Sequence, residues 1–403
     1  MAMTGMPAEP GVLALNSGSS SLKFGLYRVG AQQLDALLSG KAESVDSATW
    51  RFQANGPRGE PWLSETLSSP DPQQAVIRIG RLLSDSKIPV PAAIGHRIVH
   101  GGPTLRRHCL IDDEVLRQLE AAAAFAPLHI PPALSVIRFA REHFLGIPQV
   151  ACFDTMFHAE LPDVARVLPL PRQLQSEGIQ RYGFHGLSCE SIVQQLGGDL
   201  PGRLIIAHLG NGASITAVRD GRSIDTSMGL TPSGGVIMGT RSGDLDPGVL
   251  IYLMREKKLD AAELEELVDH NSGLAGISGV GSDMRRLHEA ATGNANARLA
   301  IEMFCYSVRK QIAAMIAVLG GVDLVVFTGG IGENDAQVRA TICSGLSWCG
   351  ISLDEPGNCY AGDPISATAS SCMVRVLASQ EDEQIARHTQ ALISGQGLGR
   401  DRS

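Results

Sequence analysis

The chain has 403 residues, 44% of them apolar and 19% charged, with a formal net charge of −8. That length suggests two domains with ample core, and the acidic balance excludes the broad basic face that a nucleic-acid partner would want. The richest apolar stretch, Ile312 to Phe327, is cut by Gly320, Gly321 and Asp323, so it reads as a helix followed by a strand and no membrane partner is expected.

Met1 to Gly11 holds no Lys, no Arg and no apolar run, so it does not read as a signal peptide. The eight cysteines are scattered without a CxxC pair or a Cys/His metal spacing. Reduced thiols and a cytoplasmic location are the simplest expectation. Val12 to Tyr27 (VLALNSGSSSLKFGLY) places a polar turn between two apolar runs, a hairpin pattern. The turn is rich in N–H groups and hydroxyls, and Lys23 follows it, a combination suited to phosphate. Residues 46 to 75 are polar and broken by Pro, which suggests a surface excursion.

Ile94 to Gly102 (IGHRIVHGG) predicts a short strand carrying His96, Arg97 and His100. The alanine-rich Asp112 to Ala126 predicts a helix ended by Pro127, with LHIPPAL following. Gln149 to His158 (QVACFDTMFH) predicts a buried strand running into Asp154, which is either a helix cap or a functional acid. Arg181 to Ser188 (RYGFHGLS) puts His185 in a small turn before a helix. Leu204 to Asp225 then repeats the hairpin pattern around His208, Gly210, Asn211, Gly212 and Ser214. Two such hairpins about half a chain apart suggest two halves built on one plan, with both turns on one cleft.

Ser223 to Met254 contains Gly229, Gly234, Gly235, Gly239, Gly243 and Gly248 but one basic residue, Arg241, with Asp225, Asp244 and Asp246 around it. Glycines let backbone approach a ligand closely, and a guanidinium presents a planar fork to phosphate or carboxylate. Asp260 with Glu263 predicts a capping box, Gly276 to Asp283 a glycine turn, and Ala297 to Leu319 a long helix. Val322 to Asn334 (VDLVVFTGGIGEN) reads as strand, glycine loop and a helix starting near Asp335, a seat for an anion at a helix N-terminus. A last helix is expected from Glu381 to Ile393, and a disordered tail from Gly395 to Ser403. Gly40-Lys41 lacks the glycine and Ser/Thr of a P-loop, and Gly279 and Gly281 are followed by Met284 where a dinucleotide motif needs a third glycine.

NSGSSSLKF, GHRIVHGG, FDTMFH, YGFHGLS, HLGNGASI, DTSMGLTPSGGVIMGTRSGDLDP and FTGGIGEN, in this order, resemble the motifs of acetate kinases, and the match runs from Val12 to the final helix. The resemblance implies the superfamily of acetate and sugar kinases, chaperone ATPases and actin: an α/β chain, a duplicated ribonuclease-H-like fold of two domains around a nucleotide cleft, and a homodimer. The implied domains are 12–154 completed by 382–403, and 155–381, the latter binding nucleotide. It implies reversible phosphoryl transfer from ATP to acetate, giving ADP and acetyl phosphate, with Mg2+ or Mn2+ as cofactor. By the same resemblance, Asp154, His185 and Arg241 are catalytic, and Arg97 holds the carboxylate with Arg241. Val99, Leu128 and Pro232 would form the apolar seat of the acyl group. Lys23, His208, Leu209, Gly210, Asn211, Gly212, Asp283, Met284, Arg285, Gly330, Ile331, Gly332, Glu333 and Asn334 would line the nucleotide. Asn16 and Glu381 would hold the metal.

Phosphoryl transfer asks a protein mainly for positioning and charge stabilisation, which two arginines and a histidine supply. A carboxylate acceptor is already a nucleophile at neutral pH, so Asp154 is expected to orient an arginine or a metal-bound water. The chain departs from the family pattern at Ile130, where a polar residue is usual, and at Ser379-Gln380-Glu381-Asp382, where Thr/Ala-x-Glu-Glu is usual. Acetate is the expected acceptor, with propionate or butyrate as alternatives, because one methylene in an apolar pocket is worth only ~1–3 kcal/mol. A non-catalytic ATP-driven module would share the fold but would have no need for Arg97, His185 and Arg241.

Overall fold

The structure, a computed structural model, describes residues 11–18, 21–30, 34–44, 49–67, 72–85, 90–360 and 362–395. These fall into two compact units. The first comprises the described residues through Met156 and those from Gln380 onward, and the second comprises Phe157–Ser379.

The first unit holds an eight-stranded sheet: β1 (Gly11–Ser17), β2 (Ser21–Val29), β3 (Leu34–Ser44), β4 (Trp50–Asn55), β5 (Pro61–Leu67), β6 (Ala93–Ile98), β7 (Cys109–Leu110) and β8 (Gln149–Phe153). Their order is β5-β4-β3-β2-β1-β6-β8-β7. β1 and β2 form the antiparallel hairpin expected from the sequence, with Asn16 opposite Lys23. β1 then runs parallel to β6, and β6 parallel to β8. Strands covered on both faces are apolar nearly throughout, and Val12, Leu13, Ala14 and Leu15 are all buried accordingly.

The C-terminal helix, Glu381–Ile393, packs on β1, β2, β6 and β8 of this sheet. It crosses so closely that a Cβ at Gly95 of β6 would lie 2.3 Å from Thr389 Oγ1 and 2.5 Å from Ile385 Cγ2. Helices Pro72–Asp85 and Ile130–His143 pack on each other, the first burying Ala75, Val76 and Ile79 in the core built on Phe24 and Phe52.

The excursion expected at residues 46–75 is corrected where it is described, because β4 and β5 extend the sheet. Trp50, Phe52 and Ala54 alternate with Arg51, Gln53 and Asn55, and the first three are buried. This period-2 signal was masked in the sequence by the polar and Pro residues around it. Residues 45–48 and 68–71 lie outside the described residues, as do 1–10 and 396–403, where a leader-free start and a disordered tail were expected.

The second unit holds five strands: β9 (Arg203–Leu209), β10 (Ala213–Arg219), β11 (Arg222–Thr226), β12 (Leu324–Thr328) and β13 (Met373–Val376), in the order β11-β10-β9-β12-β13. β9, β10 and β11 form an antiparallel meander, and β9, β12 and β13 are parallel neighbours. β3-β2-β1-β6-β8 in the first unit has the same order and the same strand directions. One plan is therefore built twice, as the paired hairpins suggested.

Helix Ala295–Leu319 covers β9 and β10. Asp260 and Glu263 form the expected capping box, with both reciprocal bonds present. Two local readings change. Gly329–Asn334, expected as a loop, is a short helix, and Asp335 caps the next one, Ala336–Cys343, by accepting the Val338 N–H at 2.9 Å. Gly276 belongs to helix Gly273–Ser278, so the expected turn starts at Gly279, at φ 66°.

Gly95→Ala should lower stability by about 1–3 kcal/mol, the usual cost of overpacking a dense core. Chemical denaturation of parent and variant measures this, and coincident midpoints would mean that the C-terminal helix yields freely.

Candidate active site

In the first unit, parallel register brings three polar residues to the C-terminal ends of adjacent strands, where open α/β sheets hold ligands. Leu15 pairs with His96 and Ile98 with Phe153, so Asn16, Arg97 and Asp154 become neighbours. The Arg97 Nε donates to Asp154 Oδ2 at 2.9 Å, and its Nη1 reaches Asn16 Oδ1 at 3.4 Å. Asp154 is fully buried, and its N–H bonds the Ile98 carbonyl at 2.9 Å. It is thus a charge partner for Arg97.

The Asn16 amide nitrogen donates to Glu381 Oε2 at 3.0 Å and to Asp382 Oδ1 at 2.9 Å, gathering two carboxylates on one side chain. Both acids open the C-terminal helix, whose first turn favours negative charge. Burial opposes the Arg97 charge, but Asp154, Glu381 and Asp382 outweigh it and raise the pKa. Burial also raises the Asp382 carboxyl, against the pull of Asn16, Lys23 and Arg97. Asp382 was not singled out from the sequence, although it stands beside Glu381; only the bond to Asn16 reveals it.

The apolar candidates are placed less simply. β6 ends at Ile98, so Val99 lies beyond the strand and strand alternation says nothing of its direction. Val99 is buried and Leu128 half-buried. Ile130 is a core residue, packed with Ile98, Leu119 and Phe153 where helix Ile130–His143 begins, and so is no rim residue. Pro232 belongs to the second unit, where its carbonyl accepts from Arg241 Nη1 at 3.3 Å.

In the second unit, His185 caps helix Gly186–Leu196 at φ 59°, a left-handed conformation uncommon for a residue with a Cβ. Its Nδ1 meets Ser214 Oγ at 2.9 Å, and its ring stacks on His208 with centroids 4.1 Å apart. A Cβ at Gly212 would lie 3.2 Å from His185 Nε2 and 3.5 Å from Arg241 Nη1, so these two side chains converge on the β9–β10 turn. The acids expected around Arg241 shape the chain: Asp244 accepts the Gly235 N–H and Asp246 the Gly248 N–H. Asp225 bonds the Thr226 N–H, and burial raises its pKa.

His158 supports this group from behind. Its Nε2 meets the Phe184 carbonyl at 3.0 Å and its Nδ1 meets Ser223 Oγ at 2.8 Å, one on each side of the ring.

A cavity of about 510 Å³ is lined by Gly210, Asn211, Ser282, Asp283, Met284, Arg285, Gly330, Ile331, Asn334 and Asp335. Asp283 caps helix Met284–Ala291 and pairs with Arg285 at 2.8 Å, and the Arg285 bond holds its carboxyl down at about 2. Eight of the residues expected to line a nucleotide thus line this one cavity. Leu209 and Gly332 are buried instead, and Glu333 turns its carboxylate to the Gly329 N–H at 2.9 Å. A Cβ at Gly239 would lie 2.1 Å from Asn211 Oδ1, so any larger residue there would push the Asn211 side chain aside.

The sheet plan built twice, with polar residues at the strand ends, defines the duplicated ribonuclease-H-like fold of the actin-like ATPases and their kinase relatives. Residues 11–387 match the model of the acetokinase family, and the chain belongs to that family. It is 43% identical to the acetate kinase of Methylocella silvestris over 95% of this chain and 98% of that one. It is 41% identical to the acetate kinase of Heliobacterium modesticaldum, over 95% and 100% of the two chains. Among solved structures, a propionate kinase from Francisella tularensis superposes with TM-score 0.87 at 37% identity, covering 94% of this chain and 99% of that one. Porphyromonas gingivalis acetate kinase superposes with TM-score 0.82 at 36% identity, covering 95% and 100%. The chain is accordingly an enzyme, a kinase. No described helix is long and apolar enough to cross a membrane.

Burial holds the imidazoles of His96 and His158 at about 4, below the ordinary 6.5. Between those values the unfolded chain binds protons that the folded chain refuses, so stability is fully present above pH ~6.5 and falls as pH drops towards ~4. Denaturation midpoints should be lower at pH 5 than at pH 7, and equal midpoints would mean that these rings are not held neutral.

Proposed function

We propose that this kinase transfers the γ-phosphoryl group of ATP reversibly to acetate, giving ADP and acetyl phosphate, in a single in-line step. An acetate oxygen forms the new bond to phosphorus as the bond to the ADP oxygen breaks, and the leaving charge departs with ADP. The observation that carries the reading is Arg97, kept charged by Asp154 at the strand ends of the first unit, alongside Arg241 and His185 converging on Gly212 in the second. Charge in this transfer spreads over the equatorial oxygens, and fixed cationic donors stabilise it. Arg97 would hold the carboxylate, Arg241 and His185 the moving phosphoryl group, and Asp154 would aim Arg97. The 510 Å³ cavity would take the nucleotide, with Lys23 near the phosphates.

Glu381 and Asp382, with Asn16, would hold magnesium: the Asn16 amide nitrogen gathers the two carboxylates in one place while its oxygen lies 3.4 Å from Arg97 Nη1, and magnesium prefers a few hard oxygens with water completing its shell. A bound Mg2+ would offset part of the negative charge on the phosphate groups during transfer. Domain roles follow the same reading: residues 155–381 hold the nucleotide, and 12–154 completed by 382–403 form the other domain. A homodimer in the cytoplasm is part of the proposal.

Acetate is proposed as the preferred acceptor over propionate, which the naming of the relatives supports and the likeness to a propionate kinase leaves open to measurement. A hydroxamate assay with acetate, propionate and butyrate side by side should give the highest kcat/KM for acetate. Val99→Ala should raise the propionate-to-acetate ratio several-fold, since each added CH₂ is worth about 0.8 kcal/mol in an apolar seat. A ratio that does not move would take Val99 out of the acyl seat.

Arg241→Leu should lower turnover at least ~100-fold, as loss of a fixed charge donor does. Turnover near the parent's would return the Ser223–Met254 loop to a structural role. Glu381→Ala should raise the magnesium concentration needed for half-maximal rate, and superimposable metal titrations would remove Glu381 from the metal site.

A further inference from the structure

His208 is held by a chain of hydroxyls that the catalytic reading leaves unused. Its Nδ1 lies 2.8 Å from Ser188 Oγ, and Ser188 Oγ receives the Ser379 hydroxyl at 3.0 Å. Ser188 is fully buried near the start of helix Gly186–Leu196, and Ser379 is half-buried after β13. A hydroxyl carries one proton. Ser188 accepts from Ser379, which leaves its own proton available to His208 Nδ1. A neutral imidazole whose Nδ1 accepts carries its proton on Nε2.

The chain is pinned at its far end. Glu333 Oε1 accepts the Ser379 N–H at 3.0 Å and, with the same oxygen, the Gly329 N–H at 2.9 Å. Gly329 is also where the ring points: a Cβ there would lie 3.1 Å from His208 Nε2, and one at Gly210 would lie 3.9 Å away. His208 Nδ1, Ser188, Ser379, Glu333 and Gly329 thus form a closed circuit that returns to the other ring nitrogen. That nitrogen faces two glycines, Gly210 and Gly329, that adjoin or belong to the wall of the 510 Å³ cavity. The stack with His185 at 4.1 Å adds a constraint, because two imidazolium ions at that spacing would repel.

We propose that Ser188, Ser379 and Glu333 are positioning residues that fix His208 as its Nε2–H tautomer, so that a hydrogen-bond donor, and no lone pair, faces the polyphosphate of the nucleotide. The inference rests on the kinase reading above for the identity of the anion. The chain from His208 Nδ1 to Gly329 rests on hydrogen bonds, and its return to Nε2 on the close approach of Gly329. It assigns Glu333 a task different from lining the nucleotide, and makes the glycine helix, the exit from β13 and His208 a single unit.

The test uses the full chain labelled with 15N-histidine, in which protonated and unprotonated ring nitrogens resonate apart, with His208→Gln identifying the His208 signals. The parent should show His208 protonated at Nε2 at neutral pH. Ser188→Ala should give a mixture with Nδ1–H, and turnover should fall roughly 10- to 100-fold, as for other partners that orient a functional histidine. Ser188→Thr, which keeps the hydroxyl, should restore both tautomer and rate. Ser379→Ala should shift the tautomer in the same direction by less, and carries the test alone if Ser188→Ala does not fold. His208 protonated at Nδ1 in the parent, or a tautomer unmoved in both alanine variants, would overturn the proposal. A parent with the expected tautomer but no phosphoryl transfer to acetate would uphold the circuit and strike the proposed acetate reaction instead.

Discussion

An acidic chain that handles anions must place positive charge locally and keep it there, and the Arg97–Asp154 pair does this in the first unit. Desolvation alone would favour loss of the guanidinium charge. The buried carboxylate prevents that and fixes the direction of the fork through Nε and Nη2. Asp154 can do so because β6 and β8 are parallel neighbours whose C-terminal ends coincide. Asn16 joins them from β1 and in turn collects Glu381 and Asp382. A one-residue slip in either parallel register would turn these side chains to the opposite face of the sheet, so the strand pairing and the charge cluster stand or fall together.

The second unit solves the same problem with less charge and more backbone. Arg241 is surrounded by acids in sequence, yet those acids bond main-chain N–H groups and give the glycine-rich loop its shape. The guanidinium is aimed partly by the Pro232 carbonyl. His185 sits in a left-handed conformation that a neighbouring histidine, His158, helps to impose by holding the Phe184 carbonyl just before it. Strain of this kind persists where surrounding structure over-determines it, and it clusters at functional sites.

The sequence showed most clearly whatever depended on local pattern. Both hairpins, the long helix, the capping box, His185 before its helix and Asp154 at a strand end follow from apolar periodicity and turn chemistry within short windows. The family motifs carried the site residues, which composition alone would not have separated from ordinary turns. What failed was what depends on distant partners. β4 and β5 were misread because strand pairing with β3 outweighs a polar, Pro-flanked composition. Gly329–Asn334 is helical because Glu333 holds the Gly329 N–H at its start and Arg339, from beyond the motif, grips the Gly332 and Glu333 carbonyls at its end. Asp382, Ser188 and Ser379 were invisible as site residues because serines and acids are common in turns and at helix starts.

The C-terminal helix has a consequence for the life of the chain before it is an enzyme. The second unit is a continuous segment, Phe157–Ser379, whereas the first needs Glu381–Ile393 to cover the sheet begun at β1. On a ribosome, the strands made first therefore wait with one apolar face uncovered until nearly everything else has emerged, while the later-made unit can close on its own. Folding order is reversed relative to synthesis order for the sheet that carries Arg97. During that interval the exposed face of β1, β2, β6 and β8 is the surface most in need of protection from aggregation.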